Sequence, residues 1–158
     1  MAAEKPKTIR LADYRAPDFL VDTIDLTFEL EPKVTRVTAT SAFRRNPVHK
    51  KDEKRPLVLD GEDMKLVSLT LDGRAVEKAA YVVGDETLTI AEVPDAFELA
   101  VVTEIAPEDN TRLEGLYRSS GVYTTQCEAE GFRRITYFPD RPDVMAKYRV
   151  AIRADKKA

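Results

Sequence analysis

The feature that most constrains the fold is a strict alternation of apolar and polar residues. From Ile24 to Leu30 the sequence reads IDLTFEL, which puts four large apolar side chains on one face of an extended segment. The same alternation returns in the segments 97–105 and 148–154. Before residue 106, an apolar period of about 3.6 residues never persists for three turns. The sequence therefore predicts strands rather than helices.

Turn signals separate these segments at short intervals. Asp72-Gly73 suits a tight turn, because both central positions of a type I′ turn need positive φ. Residues 84–85 and 119–121 mark two further hairpins, and residues 31–33 join the first strand to its partner. The segment 128–135 indicates a short helical turn, and 148–154 indicates a final strand. The prediction is an all-β fold, a mostly antiparallel β-sandwich with one or two short helical turns near its C-terminal part.

Length and charge narrow the class of protein. The chain has 158 residues, which favours one domain over 1–158. A net charge of −3 and a pI of about 5.4 argue against a nucleic-acid or anionic-membrane partner. Because Cys127 is the single cysteine, an internal disulfide is excluded, and the first residues lack an apolar run typical of a signal peptide. These features predict a cytoplasmic protein that does not bind membranes.

The usual catalytic residue types are scarce. His49 is the only histidine and lies in the charged segment 49–55, which predicts a solvated loop histidine. Cys127 has no nearby histidine to activate it and is interpreted as a small packed side chain. Phosphate-binding glycine loops, H-E-x-x-H and calcium-loop patterns do not occur. We therefore predict neither a catalytic residue nor a metal ligand in this chain, and no cofactor bound to it.

The stretch TTQCEAEGFRR, residues 124–134, is the main candidate for a binding site. Gln126, Glu128 and Glu130 either line such a site or form a solvated polar loop. In an extended segment, Gln126 and Glu128 would project from one face while Cys127 points into packing. An amide beside a carboxylate suits a cationic group with an adjacent carbonyl, and a peptide N-terminus has this chemistry.

The chain also resembles a known family. The segments DYRAPDFLVDTIDLTFEL (13–30), LDGEDMKLVSLTLDG (59–73) and 110–156 are similar to the N-terminal region of the bacterial aminopeptidase N (alanyl aminopeptidase) family, gluzincin-type zinc metallopeptidases. The most specific part is TTQCEAEGFRRITYFPDRPD (124–143). Asp140 and Pro142 match the family's D-x-P turn, whereas Arg141 stands where the wider family usually has glutamate.

The resemblance implies a saddle-like β domain and a narrow role in catalysis. Glu128 matches the carboxylate that holds the α-ammonium of a peptide substrate, together with a glutamate from the next domain. Gln126 matches the amide that lines the pocket for the first side chain. The zinc ligands, the exopeptidase loop and the transition-state tyrosine belong to the family's catalytic domain. We therefore expect a truncated N-terminal domain of a longer zinc aminopeptidase, inactive alone, whose partners are the peptide N-terminus and that catalytic domain.

One other function remains open on the residues alone, and a further one is disfavoured. A free-standing β-sandwich module could bind a protein partner through its edge strands or polar loop. An independent hydrolase would need a nucleophile and a base within reach of each other, and the sequence offers no such pair.

Overall fold

The computed structural model describes residues 10–49 and 55–156. Eleven strands follow one another along these residues: β1 Phe19–Glu29, β2 Thr35–Arg45, β3 Leu57–Asp60, β4 Lys65–Leu71, β5 Arg74–Ala75, β6 Tyr81–Val83, β7 Thr87–Ile90, β8 Ala96–Ile105, β9 Gly115–Ser119, β10 Val122–Gln126 and β11 Lys147–Arg153. Short 3₁₀ turns lie at Leu11–Asp13, Lys78–Ala80 and Phe132–Arg134. The predicted all-β class is confirmed.

The strands form a six-stranded sheet, a three-stranded sheet and a hairpin. The large sheet has the order β11-β1-β2-β8-β4-β5, the small sheet has the order β3-β7-β6, and β9 pairs with β10. Among the described strands, every ladder but one is antiparallel, in agreement with the predicted mostly antiparallel fold. The exception is β11, which runs parallel to β1 with Thr23 opposite Lys147 and Glu29 opposite Arg153. The alternation in residues 148–154 predicted this strand but could not reveal its partner.

The apolar alternation of the sequence faces one continuous core. Ile24, Leu26 and Phe28 on β1 are at most 8% exposed, as the pattern predicted. Leu59 and Leu88 from the small sheet are fully buried in the same hydrophobic cluster, so the two sheets pack on each other through their apolar faces. Burial of such side chains contributes about 1.5–3 kcal/mol each.

The predicted turns are found where the sequence placed them. Asp72 and Gly73 have φ of 50° and 73° between β4 and β5, and Ser120 and Gly121 have φ of 50° and 86° between β9 and β10. Both pairs have the positive φ values of a type I′ hairpin. The hairpin β9–β10 and the following 3₁₀ turn together hold the polar stretch described next.

Candidate functional site

Gln126 marks the point where regular strand structure stops. β10 ends at this residue, which lies opposite Gly115 in the hairpin register. Residues 126–131, here called the polar loop, then fold back into a turn closed by a 2.9 Å hydrogen bond from the backbone N–H of Gly131 to the carbonyl oxygen of Cys127. The 3₁₀ turn Phe132–Arg134 follows directly. The extended geometry considered for Gln126 and Glu128 therefore does not apply, whereas the helical turn indicated for residues 128–135 is present at Phe132–Arg134.

The structure nevertheless brings Gln126 and Glu128 together. The side-chain amide of Gln126 donates a 2.8 Å hydrogen bond to the backbone carbonyl of Glu128. Both residues are exposed. Among the described residues, the Glu128 carboxylate has no hydrogen bond or ion pair of its own. The Gln126 hydrogen bond fixes the backbone at Glu128, and the exposed carboxylate can accept hydrogen bonds from a cationic ligand.

The neighbouring residues of the polar loop have different environments. Glu130 is 68% exposed at its side chain and lies 3.4 Å from a guanidinium nitrogen of Arg133. Cys127 is half-buried against the core. Burial raises the pKa of the Cys127 thiol, and the negative charge of Asp140 raises this pKa further. A thiol with a raised pKa is a poor nucleophile, which supports the interpretation of Cys127 as a packing residue.

A buried arginine lies beneath the polar loop. The side chain of Arg134 is 8% exposed, and its guanidinium contacts three carboxylates from distant parts of the chain. Nε donates to Glu114 at 2.9 Å, Nη2 donates to Glu62 at 2.5 Å, and Nη1 donates to Asp63. The arginine therefore ties the β3–β4 connection and the start of β9 to the 3₁₀ turn. A guanidinium suits this task because its donors are fixed in one plane.

Two glycines allow close packing, Gly115 against Arg134 and Gly131 within the polar loop. A Cβ at Gly115, whose φ is +70°, would lie 2.8 Å from Cβ of Arg134. A Cβ at Gly131 would lie 2.5 Å from the carbonyl oxygen of Gln126. At both positions the neighbouring atoms lie too close for any side chain. These close contacts fix the position of the polar loop.

Arg133 fixes the other side of the same turn. Its backbone N–H and its Nε both donate to a carboxylate oxygen of Asp140 at 3.1 Å, and its Nη2 donates to the Asp140 carbonyl at 2.9 Å. The backbone N–H of Asp140 in turn donates to the half-buried carboxylate of Asp60 at 2.9 Å. Burial raises the pKa of Asp60, although this hydrogen bond and the charge of Arg133 oppose the increase.

The turn at residues 140–143 is also held from the N-terminal side. Arg141 binds the Asp143 carboxylate through Nε at 2.9 Å and Nη2 at 2.7 Å. The hydroxyl of Tyr14 donates to the same carboxylate at 3.0 Å, and Nη2 of Arg141 donates to the carbonyl oxygen of Arg15. The hydrogen bond from Arg141 lowers the pKa of Asp143. Arg141, which departs from the family pattern, thus has a structural role here.

His49 differs from its prediction. Its side chain is 14% exposed, and Nε2 lies 3.2 Å from the carbonyl oxygens of Ala16 and Pro17. The prediction of a solvated histidine was wrong, because the chain before β1 covers the ring. Residues 50–54 of the same charged segment lie outside the described residues.

The described residues provide no metal site. Within the ranges 10–49 and 55–156, histidine, cysteine and acidic side chains do not converge in any group of three that could hold a metal ion. A cavity of about 250 Å³ beside Arg134 is lined by Asn110, Arg112 and Asp63, among others, and does not reach the polar loop. No helix among the described residues has the length and apolar character needed to cross a membrane.

Sequence reasoning included Gly131 and Arg134 in the candidate stretch but gave them no role, and it did not identify the three carboxylates that bind Arg134. Glu62 precedes Arg134 by 72 positions, and this contact has no local periodicity to predict it. The adjacent pair Arg133-Arg134 after a glycine was the available signal, but it does not say which guanidinium is buried.

Comparison with known proteins identifies the class. Residues 21–158 match the family model of the Peptidase M1 N-terminal domain, so this chain belongs to that family. It is 51% identical over 157 residues to aminopeptidase N of Caulobacter vibrioides and 44% identical over 153 residues to aminopeptidase N of Escherichia coli. These matches cover 99% and 97% of this chain but only 18% and 17% of the relatives. The chain thus spans less than a fifth of the length of these curated relatives.

Solved structures show the same fold. Legionella pneumophila aminopeptidase A, in complex with aspartic acid, matches with a TM-score of 0.86 and 33% identity over 94% of this chain and 17% of its own. An M1 zinc metallopeptidase of Deinococcus radiodurans, an E323A mutant bound to a Tyr-Ser-Ala substrate, matches with a TM-score of 0.68 and 16% identity over 85% of this chain and 32% of its own. At 16% identity, the second match shows similarity of fold alone.

Proposed function

We propose that this chain is the substrate-anchoring N-terminal domain of a longer zinc aminopeptidase, in which Glu128 holds the α-ammonium of a peptide. The observation that carries the proposal is the exposed carboxylate of Glu128, which has no partner in the part of the chain that the structure describes, on a fixed loop in a chain of the M1 N-terminal family. The high identity to aminopeptidases N supports this function over a free-standing interaction module. That longer polypeptide is called the full-length enzyme.

The proposed role follows from the chemistry of an exopeptidase. A peptidase removes one residue at a time only if something fixes the substrate N-terminus one residue from the scissile bond. Glu128 accepts hydrogen bonds from the ammonium and is joined by a glutamate of the catalytic domain. Gln126 lines the pocket for the first side chain. An acetylated amine would leave both carboxylates without a cationic partner, so blocked peptides are rejected.

Zinc belongs to the catalytic domain in this proposal. When bound there, the metal polarises the scissile carbonyl and activates water. The residues described here do not fit a zinc site. The isolated chain should therefore neither retain stoichiometric zinc after desalting nor hydrolyse an aminoacyl substrate. Chelator-sensitive turnover by the isolated chain would contradict the proposal.

The location proposed for the enzyme is the cytoplasm. The support is that Cys127, the one cysteine of this chain, is free and half-buried, so the chain has no internal disulfide of the kind common in exported proteins.

A direct test compares two kinds of inhibitor of the full-length enzyme. Replacing Glu128 with Gln keeps the shape and removes the charge. Inhibitors that carry a free amine should then bind about 10- to 100-fold more weakly, since a hydrogen bond to a charged group contributes about 1.5–3 kcal/mol. Zinc-binding inhibitors without an amine should bind as before. Equal weakening of both kinds, or of neither, would contradict the role of Glu128.

A further inference from the structure

Gly131, the last residue of the polar loop, packs against the backbone of Gln126 and Cys127 so closely that no side chain would fit between them. A Cβ there would lie 2.5 Å from the carbonyl oxygen of Gln126 and 3.0 Å from Cα of Cys127. Both neighbours are backbone atoms, so they cannot rotate away as the end of a flexible side chain could. The φ of Gly131 is −93°, which any residue adopts. Close approach, and not backbone conformation, therefore requires glycine at this position.

The backbone of Gly131 is held in turn by the 3₁₀ turn that follows it. Its carbonyl oxygen accepts a 3.1 Å hydrogen bond from the backbone N–H of Arg134. The Arg134 side chain is fixed by its three carboxylate partners, Glu62, Asp63 and Glu114. The loop thus packs against backbone that the ion pairs of one buried guanidinium hold in place.

We propose that Gly131 is a positioning residue for Glu128: the bare backbone at Gly131 sets the path of the chain from Gln126 to Glu128 and so the position of the anchoring carboxylate. The inference rests on the proposed function of Glu128. A methyl group at position 131 must move the Gln126 carbonyl by about 0.9 Å, from 2.5 Å to the 3.4 Å at which ordinary contact begins. Misplacement of a binding group by about 1 Å can cost up to about 100-fold in rate.

The test uses Gly131→Ala in the full-length enzyme, with Gly84→Ala as the matched control. A Cβ at Gly84 meets its nearest atoms at 3.6 Å, and this glycine has no positive φ. Gly131→Ala should lower kcat/KM for a free-amine substrate at least about tenfold, while Gly84→Ala should leave it within about twofold. The affinity of an amine-free zinc-binding inhibitor should not change in either variant. A general loss of folding would weaken that inhibitor too and would overturn the positioning role.

A double-mutant cycle with Glu128→Gln separates this inference from the function on which it rests. If Gly131 acts through Glu128, Gly131→Ala should have little further effect once the charge is gone. Additive losses, or an unaffected Gly131→Ala enzyme beside an impaired Glu128→Gln enzyme, would overturn the positioning role and leave the function of Glu128 standing. An unaffected Glu128→Gln enzyme would overturn both.

Discussion

The side-chain amide of Gln126 donates a 2.8 Å hydrogen bond to the backbone carbonyl of Glu128, and this bond spans the start of the polar loop. The backbone hydrogen bonds between β9 and β10 stop at Gln126. Beyond this point, the Gln126 side chain supplies a hydrogen bond that holds the backbone of Glu128. Gln126 therefore supports the backbone at Glu128, in addition to its proposed role in the substrate pocket.

Replacing Gln126 with Met keeps the length of the side chain and removes the donor. We expect kcat/KM of the full-length enzyme to fall about three- to tenfold, because a hydrogen bond of this kind contributes about 0.5–1.5 kcal/mol. Thr125→Val, one position earlier on the same strand, is the control and should have little effect. Steady-state kinetics with a free-amine substrate measures both. Equal kinetics for the Gln126→Met and wild-type enzymes would contradict this support role.

The buried Arg134 leads to a prediction about stability. Its removal leaves Glu62, Asp63 and Glu114 close together without their shared cation. We expect Arg134→Ala to lower the free energy of unfolding by about 1.5–3 kcal/mol, because the buried guanidinium loses its charge-assisted hydrogen bonds while the carboxylates left behind stay partly solvated, at 23%, 64% and 49% exposed. Arg149 makes a comparable two-point contact with Asp25 on the surface, where it is 81% exposed. Arg149→Ala should cost at most about 1 kcal/mol.

Urea unfolding of the chain, followed by fluorescence or circular dichroism, compares the two arginine variants. A similar loss of stability in both would mean that Arg134 does not organise the site as its contacts indicate.

Local sequence pattern predicted most of the fold. The alternation from Ile24 to Leu30 gave the strand and its buried face, and Asp72-Gly73 and Ser120-Gly121 gave their turns, because these features depend on neighbouring residues alone. The parallel pairing of β11 with β1 was not predicted, since it joins residues 124 positions apart. Nothing within either strand specifies such a distant partner.

The candidate site was predicted less completely. The polar stretch and its two substrate-binding candidates, Gln126 and Glu128, came from the sequence and the family resemblance. The turn that takes Glu128 out of the strand depends on the close approach of Gly131 and on the buried Arg134. Both are consequences of tertiary packing, which alternation of residue types does not encode.

The outermost strand of the large sheet has an uncovered apolar face. Tyr148, Val150 and Ile152 on β11 lie opposite the core residues Ile24, Leu26 and Phe28, yet they are 51%, 53% and 65% exposed. Among the described residues, β11 has a hydrogen-bonded neighbour on one side only. Such an edge is a template for pairing with another chain.

We therefore expect the isolated chain to self-associate at high concentration. Ile152→Lys should reduce this association, because a charge on the edge strand opposes pairing. Val48→Lys is the control, since Val48 is 69% exposed but lies in a turn. Sedimentation velocity and binding of an apolar dye measure the effect. A clean monomer with no dye binding would contradict the prediction.

Asp143 should contribute stability that depends on pH. The hydrogen bond from Arg141 lowers the folded-state pKa of Asp143 below its ordinary value of 3.8. Its contribution is therefore present above pH 3.8 and is lost as the pH falls through the lowered folded-state pKa. We expect Asp143→Asn to lower the free energy of unfolding by about 1 kcal/mol at pH 7.

The difference between wild type and Asp143→Asn should narrow when urea unfolding is repeated below pH 3.8. Asp25 and Glu104 also have pKa values lowered by arginine partners, but both are present in the two proteins, so their effects cancel in the difference. A difference that stays constant or widens as the pH falls would show that the Asp143 charge is not the source.

The central claim is that Glu128 anchors the substrate ammonium, and the most direct measurement is kcat/KM of the full-length enzyme for a free-amine substrate in two matched variants. Glu128→Gln should lower kcat/KM about 10- to 100-fold, since it removes a charge-assisted hydrogen bond and leaves the shape unchanged. Glu130→Gln makes the same chemical change two positions away, where the side chain is 68% exposed beside Arg133, and should have little effect. Equal effects of the two substitutions, or an unchanged Glu128→Gln enzyme, would contradict the account.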